Sequence, residues 1–586
     1  MHSVLEVRRV LQQRIFEDIE VERIEEHVRW LTAHAPNRIS SGRDVGRAAE
    51  YVAEQLELAG LRVQVDSIRI YNSTPLSSRL DLLAPVERTL ESLPCGHIRS
   101  TPPAGEVREL VFIEAERYLE EVLPDVRGKM VLVEMSYEPT APEKARLLHA
   151  AGAAGLICMN WGSGGDAICN RALKTVWGNP TEVTLPQMPN IVGLSVTRET
   201  GLMLRDLCLG AEPVTVRVSA VASREWQAVA QPWGILRGSG DGGRFMLAAS
   251  HLDAWSPGVT CNATGNAMTL EIARVLALHR EELARDVWFA FWNGHEIAEA
   301  AGSTWFLDHH WDALDKGCTA YIHIDSPGLR DAAVYEVKAS EELQAFAQAA
   351  AESAMDRPLR TVRLKRTGDQ SFMGIGIPSL TQRMSYSDAY LEEHRGAFLG
   401  WWNHTAGDTL DKYDRENMLL DCRATLSLMY YLSTLEILPY DLDAKFARVA
   451  AVLAELDERY GAHLALGSLA QLLRETRSAV ARVTARLSDL AASGQASRYN
   501  DFAMAVLRLV SGVFQTHADK YGQDSYGFGR LSAPLPLLAD LRRLERFDPA
   551  SFEYGLIETQ LLRNRNRIAD ALKSASDLAR LFERSI

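Results

Sequence analysis

The sequence has no long apolar run. No segment offers about 18 consecutive apolar residues, the length that a membrane-spanning helix needs. Residues 1–31 carry charge throughout and contain no apolar core of the kind that a secretory signal requires. We therefore expect neither a membrane span nor secretion.

Cysteine is sparse and follows no pattern. The chain has seven cysteines, at positions 95, 158, 169, 208, 261, 318 and 422. They form no CxxC pair, and their number is odd, so they do not make a complete set of disulfide pairs. This distribution argues against a disulfide scaffold and is typical of a reducing compartment. The sequence thus favours a cytoplasmic location.

The chain has fewer basic residues, 63 Lys and Arg, than acidic residues, 77 Asp and Glu. The formal net charge is -14 at pH 7, and nucleic-acid binding needs basic surface, so we expect no nucleic-acid partner. The chain has 586 residues, of which 47% are apolar and 24% charged. This is the composition of a globular protein with roughly three or four domain-sized units.

The order of helix and strand patterns divides the chain into three regions. Between residues 21 and 60, apolar residues recur at helical spacing, and a glycine stop then leads into a strand. From about residue 233 to 435, strands alternate with helices, which favours a mostly parallel α/β sheet flanked by helices. We predict an α/β domain over residues 1–73 and 226–438, an inserted α/β domain over 74–225, and a helical domain over 439–586.

Four strand ends, or the turns after them, carry potential metal ligands. They are His251 with Asp253, His295 with Glu296, Asp325, and His404. Taken singly, each is more often a hydrogen-bonded structural residue than a ligand. Because ligands of α/β sheets gather at the carboxyl ends of the strands, their shared placement predicts a metal centre.

The motifs around these residues resemble the zinc-dependent exopeptidase superfamily, which includes bacterial aminopeptidases, glutamate carboxypeptidase and the transferrin receptor. The similar segments, in chain order, are SGRDVGRAAEYVAEQLELAG, HLDAW, GVTCNATGNAMTLEIARVLA, VWFAFWNGHEIAEAAGSTWF, HIDSPG, GIPSL and NHTAGDTLDK. The inserted region resembles a protease-associated domain through GKMVLVE and AAGAAGLI, and the C-terminal region resembles a helical dimerisation domain. The resemblance implies this fold and a homodimer.

Active members of that superfamily hold two metal ions, which share a bridging carboxylate and a water molecule. The resemblance implies that His251 and Asp325 hold one ion, and that Glu296 and His404 hold the other. The position of the bridging Asp is occupied here by Cys261. A thiolate supplies one soft atom in place of two oxygens, so we favour one ion, most readily zinc, over two. The alternative is a small buried thiol that binds nothing.

The residue that acts as general base is open to two interpretations. Counting from the strand FAFWN assigns the base position to His295, whose ordinary pKa near 6.5 suits proton transfer, and the ligand position to Glu296. Counting back from Gly302-Ser303 shifts the frame by one residue. Glu296 is then the base, and Ile297 replaces the ligand.

A third interpretation uses a helix. If residues 295–299 are helical, His295 and Glu299 lie on one face and both ligate an ion, while Glu296 acts as the base, as in HExxH sites. A solvated Glu299 is the simpler alternative, and we prefer the strand-based interpretation.

Further residues are candidates for orienting ligands or binding substrate. A carboxylate beside a metal-binding imidazole commonly orients the ring, so Asp253 is expected to hold His251 or another ligand and to support catalysis. The candidates for the substrate pocket are Trp255, Asp369, Arg383, Tyr386 and Tyr390.

The sequence therefore predicts a metal-dependent amidohydrolase or peptidase. In this hypothesis a metal-activated water, assisted by His295 or Glu296, attacks the amide of a small peptide or of an N-acyl or carbamoyl amino acid. Two alternatives stay open. One is an inactive homologue that acts as a binding or scaffold protein, and the other is a mononuclear-metal lyase or cyclase on the same fold.

Overall fold

The computed structural model describes residues 9–119, 123–161, 167–527 and 533–586. Its strands are β1 (Arg62–Asn72), β2 (Pro75–Ala84), β3 (Arg88–Leu90), β4 (Leu93–Pro94), β5 (Glu106–Phe112), β6 (Met130–Glu134), β7 (Gly155–Met159), β8 (Val192–Val196), β9 (Val214–Ala222), β10 (Glu225–Leu236), β11 (Phe245–His251), β12 (Asp286–Trp292), β13 (Cys318–His323), β14 (Val334–Ala339), β15 (Leu359–Arg363) and β16 (Ser379–Ser385).

Its α-helices are α1 (Arg9–Glu17), α2 (Val21–His34), α3 (Val45–Leu58), α4 (Ala115–Leu119), α5 (Ala141–Ala150), α6 (Arg198–Cys208), α7 (Thr264–Leu278), α8 (Ala301–His309), α9 (Trp311–Gly317), α10 (Glu341–Ala354), α11 (Asp388–Glu393), α12 (Arg415–Thr434), α13 (Leu442–Leu464), α14 (Leu466–Thr484), α15 (Leu487–Ala492), α16 (Ala496–Gln515), α17 (Leu541–Leu544) and α18 (Phe552–Ser585).

The first sheet has eight strands in the order β1-β10-β12-β11-β13-β16-β14-β15. Its centre is parallel, because β11 pairs in parallel with β12 and β13, and β13 pairs in parallel with β16. The carboxyl ends of β11, β12 and β13 therefore meet at one edge of the sheet. His251 is the last residue of β11, and the segments that carry Glu296 and Asp325 follow β12 and β13.

Helices cover both faces of this sheet. Along β11, Met246 and Ala248 pack into one core with the helices of the N-terminal and C-terminal regions. The alternate residues Phe245, Leu247 and Ala249 pack into a second core that includes residues of α8 and α9. Because successive side chains of a strand point to opposite faces, this split confirms the predicted α/β sheet flanked by helices.

The second sheet lies between Pro75 and Ala222 and has the order β3-β2-β9-β5-β6-β7-β8-β4. Strands β5 to β8 run parallel, and the others pair antiparallel. The chain leaves the first sheet through β1 and returns through β10, which pair antiparallel from Arg62 opposite Ile235 to Asn72 opposite Glu225. Because β1 and β10 are paired neighbours, the second sheet is inserted between them in sequence without interrupting the hydrogen bonding of the first sheet.

The C-terminal region is helical, as predicted. Helix α18 packs against α14 and α16, and apolar residues of these helices join the same continuous core as the first sheet. Within the part of the chain that the structure describes, no helix has the length and apolar content to cross a membrane.

Candidate metal centre

Three buried donor atoms converge at the carboxyl edge of the first sheet. They are Nε2 of His251, Sγ of Cys261 and a carboxylate oxygen of Glu296, which lie within 4.8 Å of one another. Sγ of Cys261 is 3.8 Å from Nε2 of His251 and 3.3 Å from Oε1 of Glu296. The strand end of β11, the turn before α7 and the segment after β12 thus each contribute one donor.

The spacing and chemistry of these donors fit one ion. A tetrahedral zinc with Zn–S near 2.3 Å and Zn–N near 2.0–2.1 Å separates the sulfur and nitrogen ligands by about 3.6 Å. The 3.8 Å between Cys261 and His251 is close to this value. An imidazole, a thiolate and a carboxylate are all zinc ligands, and the thiolate adds a preference for softer ions.

The two remaining predicted ligands border this cluster. Oδ1 of Asp325 lies 3.4 Å from Nε2 of His251. Nε2 of His404 lies 3.0 Å from Oε2 of Glu296 and 3.6 Å from Sγ of Cys261. The fold therefore brings together all five residues that the sequence analysis named as metal ligands.

Asp253 contacts two of the predicted ligands, His251 through its backbone carbonyl and Glu296 through its carboxylate. Nδ1 of His251 donates to the backbone carbonyl of Asp253 at 2.8 Å, not to its carboxylate, which leaves Nε2 free to face the cluster. The carboxylate instead accepts the backbone N–H groups of His295, at 3.0 Å, and Glu296, at 3.1 Å. It therefore fixes the turn that presents these two residues. Burial raises the pKa of Asp253 to about 6.

Asp408 holds the turn that carries Cys261, and the sequence analysis did not name it. Its carboxylate accepts the backbone N–H and the hydroxyl of Thr260, at 2.9 and 2.8 Å, and the N–H of Cys261, at 3.0 Å. Its signal was the first acidic residue of NHTAGDTLDK, four positions after His404. Burial raises the pKa of Asp408 to about 6. Burial, together with Glu296, also raises the pKa of the Cys261 thiol well above its usual range.

Glu296 is ionised in this environment. Burial acts to raise its pKa, but the imidazole of His404, with contributions from His251 and His295, holds the pKa of Glu296 at about 2. Burial likewise opposes the ionisation of Asp325, yet His251 keeps the pKa of that carboxyl well below its usual range. The cluster therefore presents anionic oxygens to a cation.

His295 forms a buried pair with Asp369. Its Nδ1 lies 2.8 Å from Oδ2 of Asp369, and its ring stacks on His251 with centroids 3.9 Å apart. Burial acts to lower the pKa of His295, but the Asp369 carboxylate raises it well above the usual value. Asp369 also accepts a hydrogen bond from the hydroxyl of Ser303 at 2.8 Å. An imidazole backed by a buried carboxylate is suited to holding a proton.

The structure distinguishes among the three interpretations of this segment. The side chain of Glu296 contacts Cys261, whereas Ile297 is fully buried in an apolar cluster, and this favours the frame in which Glu296 is a ligand. The HExxH interpretation is wrong, because residues 295–299 form turns rather than a helix. Glu299 has a φ of +50°, and its carboxylate accepts a hydrogen bond from Tyr526.

A cavity of about 680 Å³ opens beside the cluster. Trp255 and Arg383 line it, as predicted for substrate-pocket residues. Asp369 is fully buried behind His295 and does not reach the cavity. Tyr386 and Tyr390 stack on each other with centroids 4.0 Å apart and are not among the described residues of the cavity wall. These three residues were predicted at the substrate and are instead part of the packing around the site.

Positive charge is concentrated on the cavity wall. Among the described residues, seven cationic side chains line it: Arg171, Lys338, Arg360, Arg363, Lys365, Arg366 and Arg383. Apart from the predicted metal ligands Glu296 and Asp325, the described wall has four carboxylates: Glu138, Glu143, Glu299 and Glu336. This local excess contrasts with the net negative charge of the chain and favours an anionic occupant.

Arg171, from the inserted region, reaches the site and had no sequence signal. Its Nη1 lies 3.1 Å from Nδ1 of His404. The residues beside it also hold the loop of His404: the backbone N–H of Asn170 donates to the carbonyl of His404 at 2.8 Å, and Sγ of Cys169 donates to the carbonyl of Asn403 at 3.3 Å. The insert is therefore part of the site.

Two protein-family models match the chain, one over strands of the first sheet and one over strands of the second. Residues 234–427 match the family model of peptidase family M28, and residues 95–204 match that of the PA domain. The chain is 23% identical over 358 residues to a probable glutamate carboxypeptidase, VP8, of Zea mays, which covers 51% of this chain and 49% of that protein. It is 30% identical over 114 residues to aminopeptidase NAALADL1 of Mus musculus, which covers 19% of this chain and 15% of that protein. The chain thus spans about half the length, or less, of these curated relatives.

Solved structures share the fold. An aminopeptidase from Aneurinibacillus sp. strain AM-1 has a TM-score of 0.53 at 20% identity, with 72% of this chain and 96% of that chain covered. A peptidase M28 precursor from Shewanella amazonensis SB2B has a TM-score of 0.60 at 14% identity, with 74% and 98% covered. The chain therefore carries a region similar to peptidase family M28 and, inserted between β1 and β10, a region similar to the PA domain, and it shares the fold of these peptidases.

Proposed function

We propose that the protein is a metal-dependent amidohydrolase of the peptidase type. The observation that carries this proposal is the cluster of His251, Cys261 and Glu296, whose donor atoms lie within 4.8 Å of one another beside a cavity rich in positive charge. A binding protein has no physical need for such a cluster, because each buried ionisable group costs free energy unless it is paired.

One divalent ion, most readily zinc, would be held by His251, Cys261 and Glu296, with Asp325 beside the imidazole of His251. Such an ion activates water and polarises a carbonyl as a Lewis acid. The protein supports it by fixing the ligands, since the carbonyl of Asp253 holds His251 and Asp408 holds the turn of Cys261. Groups around a metal site commonly set ligand orientation in this way.

His295 is the proton-carrying group in this proposal. Asp369 binds its Nδ1, so Nε2 is the nitrogen that exchanges a proton with the reactants. With its pKa raised by Asp369, the imidazole carries a proton near neutral pH and donates it to the leaving nitrogen of the amide. Glu296 then serves as a ligand rather than as the base.

The substrate in this proposal is a small amide that carries a carboxylate, such as an N-acyl or carbamoyl amino acid or a short peptide. Arg383 supports this assignment: it lines the cavity and is only 6% exposed, and its Nε has no hydrogen-bond partner among the described residues. A buried guanidinium without a full set of partners gains most from a carboxylate, which it binds through paired hydrogen bonds. Trp255 contributes an apolar wall near the cluster.

The first experiment is metal content per chain, measured by inductively coupled plasma mass spectrometry on protein purified without a chelator or a metal-affinity tag. We expect about one equivalent of ion per chain. The ion is lost in His251→Ala and kept in His149→Ala, a matched control at an exposed histidine. Absence of bound metal, with none taken up at micromolar supply, would reject the hydrolase proposal and favour a binding or scaffold protein.

The second experiment is a substrate panel. N-acyl and N-carbamoyl amino acids and dipeptides are incubated with the metal-loaded protein, each beside the analogue whose carboxylate is converted to an amide. We expect hydrolysis of carboxylate-bearing members and poor turnover of the matched neutral analogues. Bound metal without hydrolysis of any member would favour a lyase or cyclase on the same fold.

We also propose that the protein is a homodimer that uses its C-terminal helices. Helix α18 exposes Phe552, Leu556 and Leu581, and burial of such side chains on association is favourable. Sedimentation equilibrium tests this proposal: a monomer at micromolar concentration would contradict it, and Leu556→Glu with Leu581→Glu is expected to weaken the dimer. A cytoplasmic location stays a prediction from the cysteine distribution.

A further inference from the structure

His251, a member of the cluster, and His404, which borders it, are held in opposite ways. Nδ1 of His251 donates to a backbone carbonyl, so its Nε2 keeps a lone pair that points at the cluster. Nδ1 of His404 instead faces Nη1 of Arg171 at 3.1 Å. A guanidinium can only donate hydrogen bonds, so Nδ1 of His404 must accept.

This contact determines what the other nitrogen of His404 does. A neutral imidazole that accepts at Nδ1 carries its hydrogen on Nε2. Nε2 of His404 lies 3.0 Å from Oε2 of Glu296, the distance of a hydrogen bond donated to that carboxylate. Arg171, His404 and Glu296 therefore form a chain of donors and acceptors, in which His404 has no lone pair free for an ion.

Two residues next to Arg171 hold the loop that carries His404. The backbone N–H and the side-chain amide of Asn170 both donate to the carbonyl of His404, at 2.8 and 3.0 Å. Sγ of Cys169 donates to the carbonyl of Asn403. Residues 169–171 of the inserted region thus hold the backbone and the ring of His404 together.

We propose that Arg171 takes the place of a second metal ion in this site. It fixes His404 as a hydrogen-bond donor to Glu296, supplies a permanent positive charge on that side of the cluster, and limits the protein to one ion. This inference rests on the proposed metal site. It adds that two features, Cys261 and Arg171, independently prevent a second ion from binding.

Metal content in a set of variants tests the inference. Cys261→Asp restores a carboxylate between the two positions but leaves Arg171 in place, so we expect about one equivalent of zinc per chain. The double variant Cys261→Asp with Arg171→Gln is expected to hold about two equivalents. The carboxamide oxygen of Gln can accept a hydrogen bond from Nδ1, which leaves Nε2 of His404 free to bind an ion.

Two further double variants serve as controls. Cys261→Asp with Arg171→Lys keeps a positively charged group that can only donate hydrogen bonds. We expect this variant to hold about one equivalent of zinc per chain. Cys261→Asp with Arg366→Gln removes a different buried arginine of the cavity wall and is also expected to stay at one. Two equivalents in Cys261→Asp alone, or one in its combination with Arg171→Gln, would overturn the inference.

The wild-type protein provides a test that does not depend on whether the variants fold. In a crystal grown with zinc, anomalous diffraction is expected to locate one ion at His251, Cys261 and Glu296, with Arg171 within hydrogen-bond distance of Nδ1 of His404. A zinc about 2.1 Å from Nε2 of His404 would overturn the inference but leave the hydrolase proposal intact. A crystal with no zinc at the cluster would reject both.

Discussion

Replacement of Cys261 by alanine should weaken metal binding strongly and change its spectroscopy. Structural zinc sites with four protein ligands bind with about 10–16 kcal/mol, so one ligand contributes about 2.5–4 kcal/mol, or roughly 100- to 1,000-fold in affinity. Sγ of Cys261 lies 3.8 and 3.3 Å from the other two donors of the cluster, so no other described thiol can substitute for it there. The zinc dissociation constant of Cys261→Ala should rise by that factor.

Two measurements report on this substitution. Competition with a chromophoric chelator gives the zinc dissociation constant, and cobalt substitution gives a near-ultraviolet thiolate-to-cobalt charge-transfer band only when sulfur ligates. We expect the band in the wild type and in Cys422→Ala, which removes a fully buried thiol outside the cluster. The band should be absent in Cys261→Ala.

The pH dependence of zinc binding follows from the thiol. Because burial and the neighbouring carboxylates raise the pKa of Cys261, the thiol is protonated in the metal-free protein, and an ion must displace that proton. Wild-type affinity should therefore rise by about tenfold per pH unit below the thiol pKa, and this slope should be smaller in Cys261→Ala. Equal zinc affinity in the two proteins, or a wild-type cobalt complex without the band, would refute ligation by Cys261.

Three further outcomes are expected. Arg383→Met should lower kcat/KM for a carboxylate-bearing substrate by roughly 10- to 100-fold, but not for its neutral amide, in parallel initial-rate assays. Asp369→Asn removes the charge that raises the pKa of His295, so the alkaline limb of the pH–rate profile should move to lower pH; an unmoved limb would exclude His295 as the proton donor. Burial raises the pKa of Asp408 from 3.8 to about 6, so protonation of Asp408 favours the folded state. This stabilisation, about 3 kcal/mol, is fully present below about pH 3.8 and is lost by about pH 6. Asp408→Asn should therefore lower Tm more at pH 4 than at pH 7, and an equal loss of Tm at both pH values would contradict this pKa.

The sequence pattern was sufficient for the fold because local periodicity reports which face of an element is buried. The apolar strand that ends at His251, and the helix that follows the turn of Cys261, appear in the structure as β11 and α7. The order of the motifs predicted the five residues that gather at the carboxyl edge of the sheet. Four of them lie at or after the ends of β11, β12 and β13, which are parallel and end on the same side, whereas His404 was expected at a strand end and lies in the loop after α11.

Side-chain direction was not accessible from the pattern. The frame of Glu296 and Ile297 stayed ambiguous in the sequence, because one residue of shift exchanges a site-facing side chain for a buried one. Tyr386 was expected at the substrate by its location in the chain, yet its ring is fully buried against Tyr390. Only the packed structure decides which way such residues turn.

What the sequence by itself determined is the α/β fold, the inserted region, and the residues that gather at the candidate metal centre, since each depends on local pattern or motif order. Only the tertiary structure decided how these residues are bonded. Arg171 and His404 are separated by 233 positions, and His295 and Asp369 by 74. No local periodicity encodes such pairs, because their hydrogen bonds form only when the inserted region and the loops around the first sheet pack against one another.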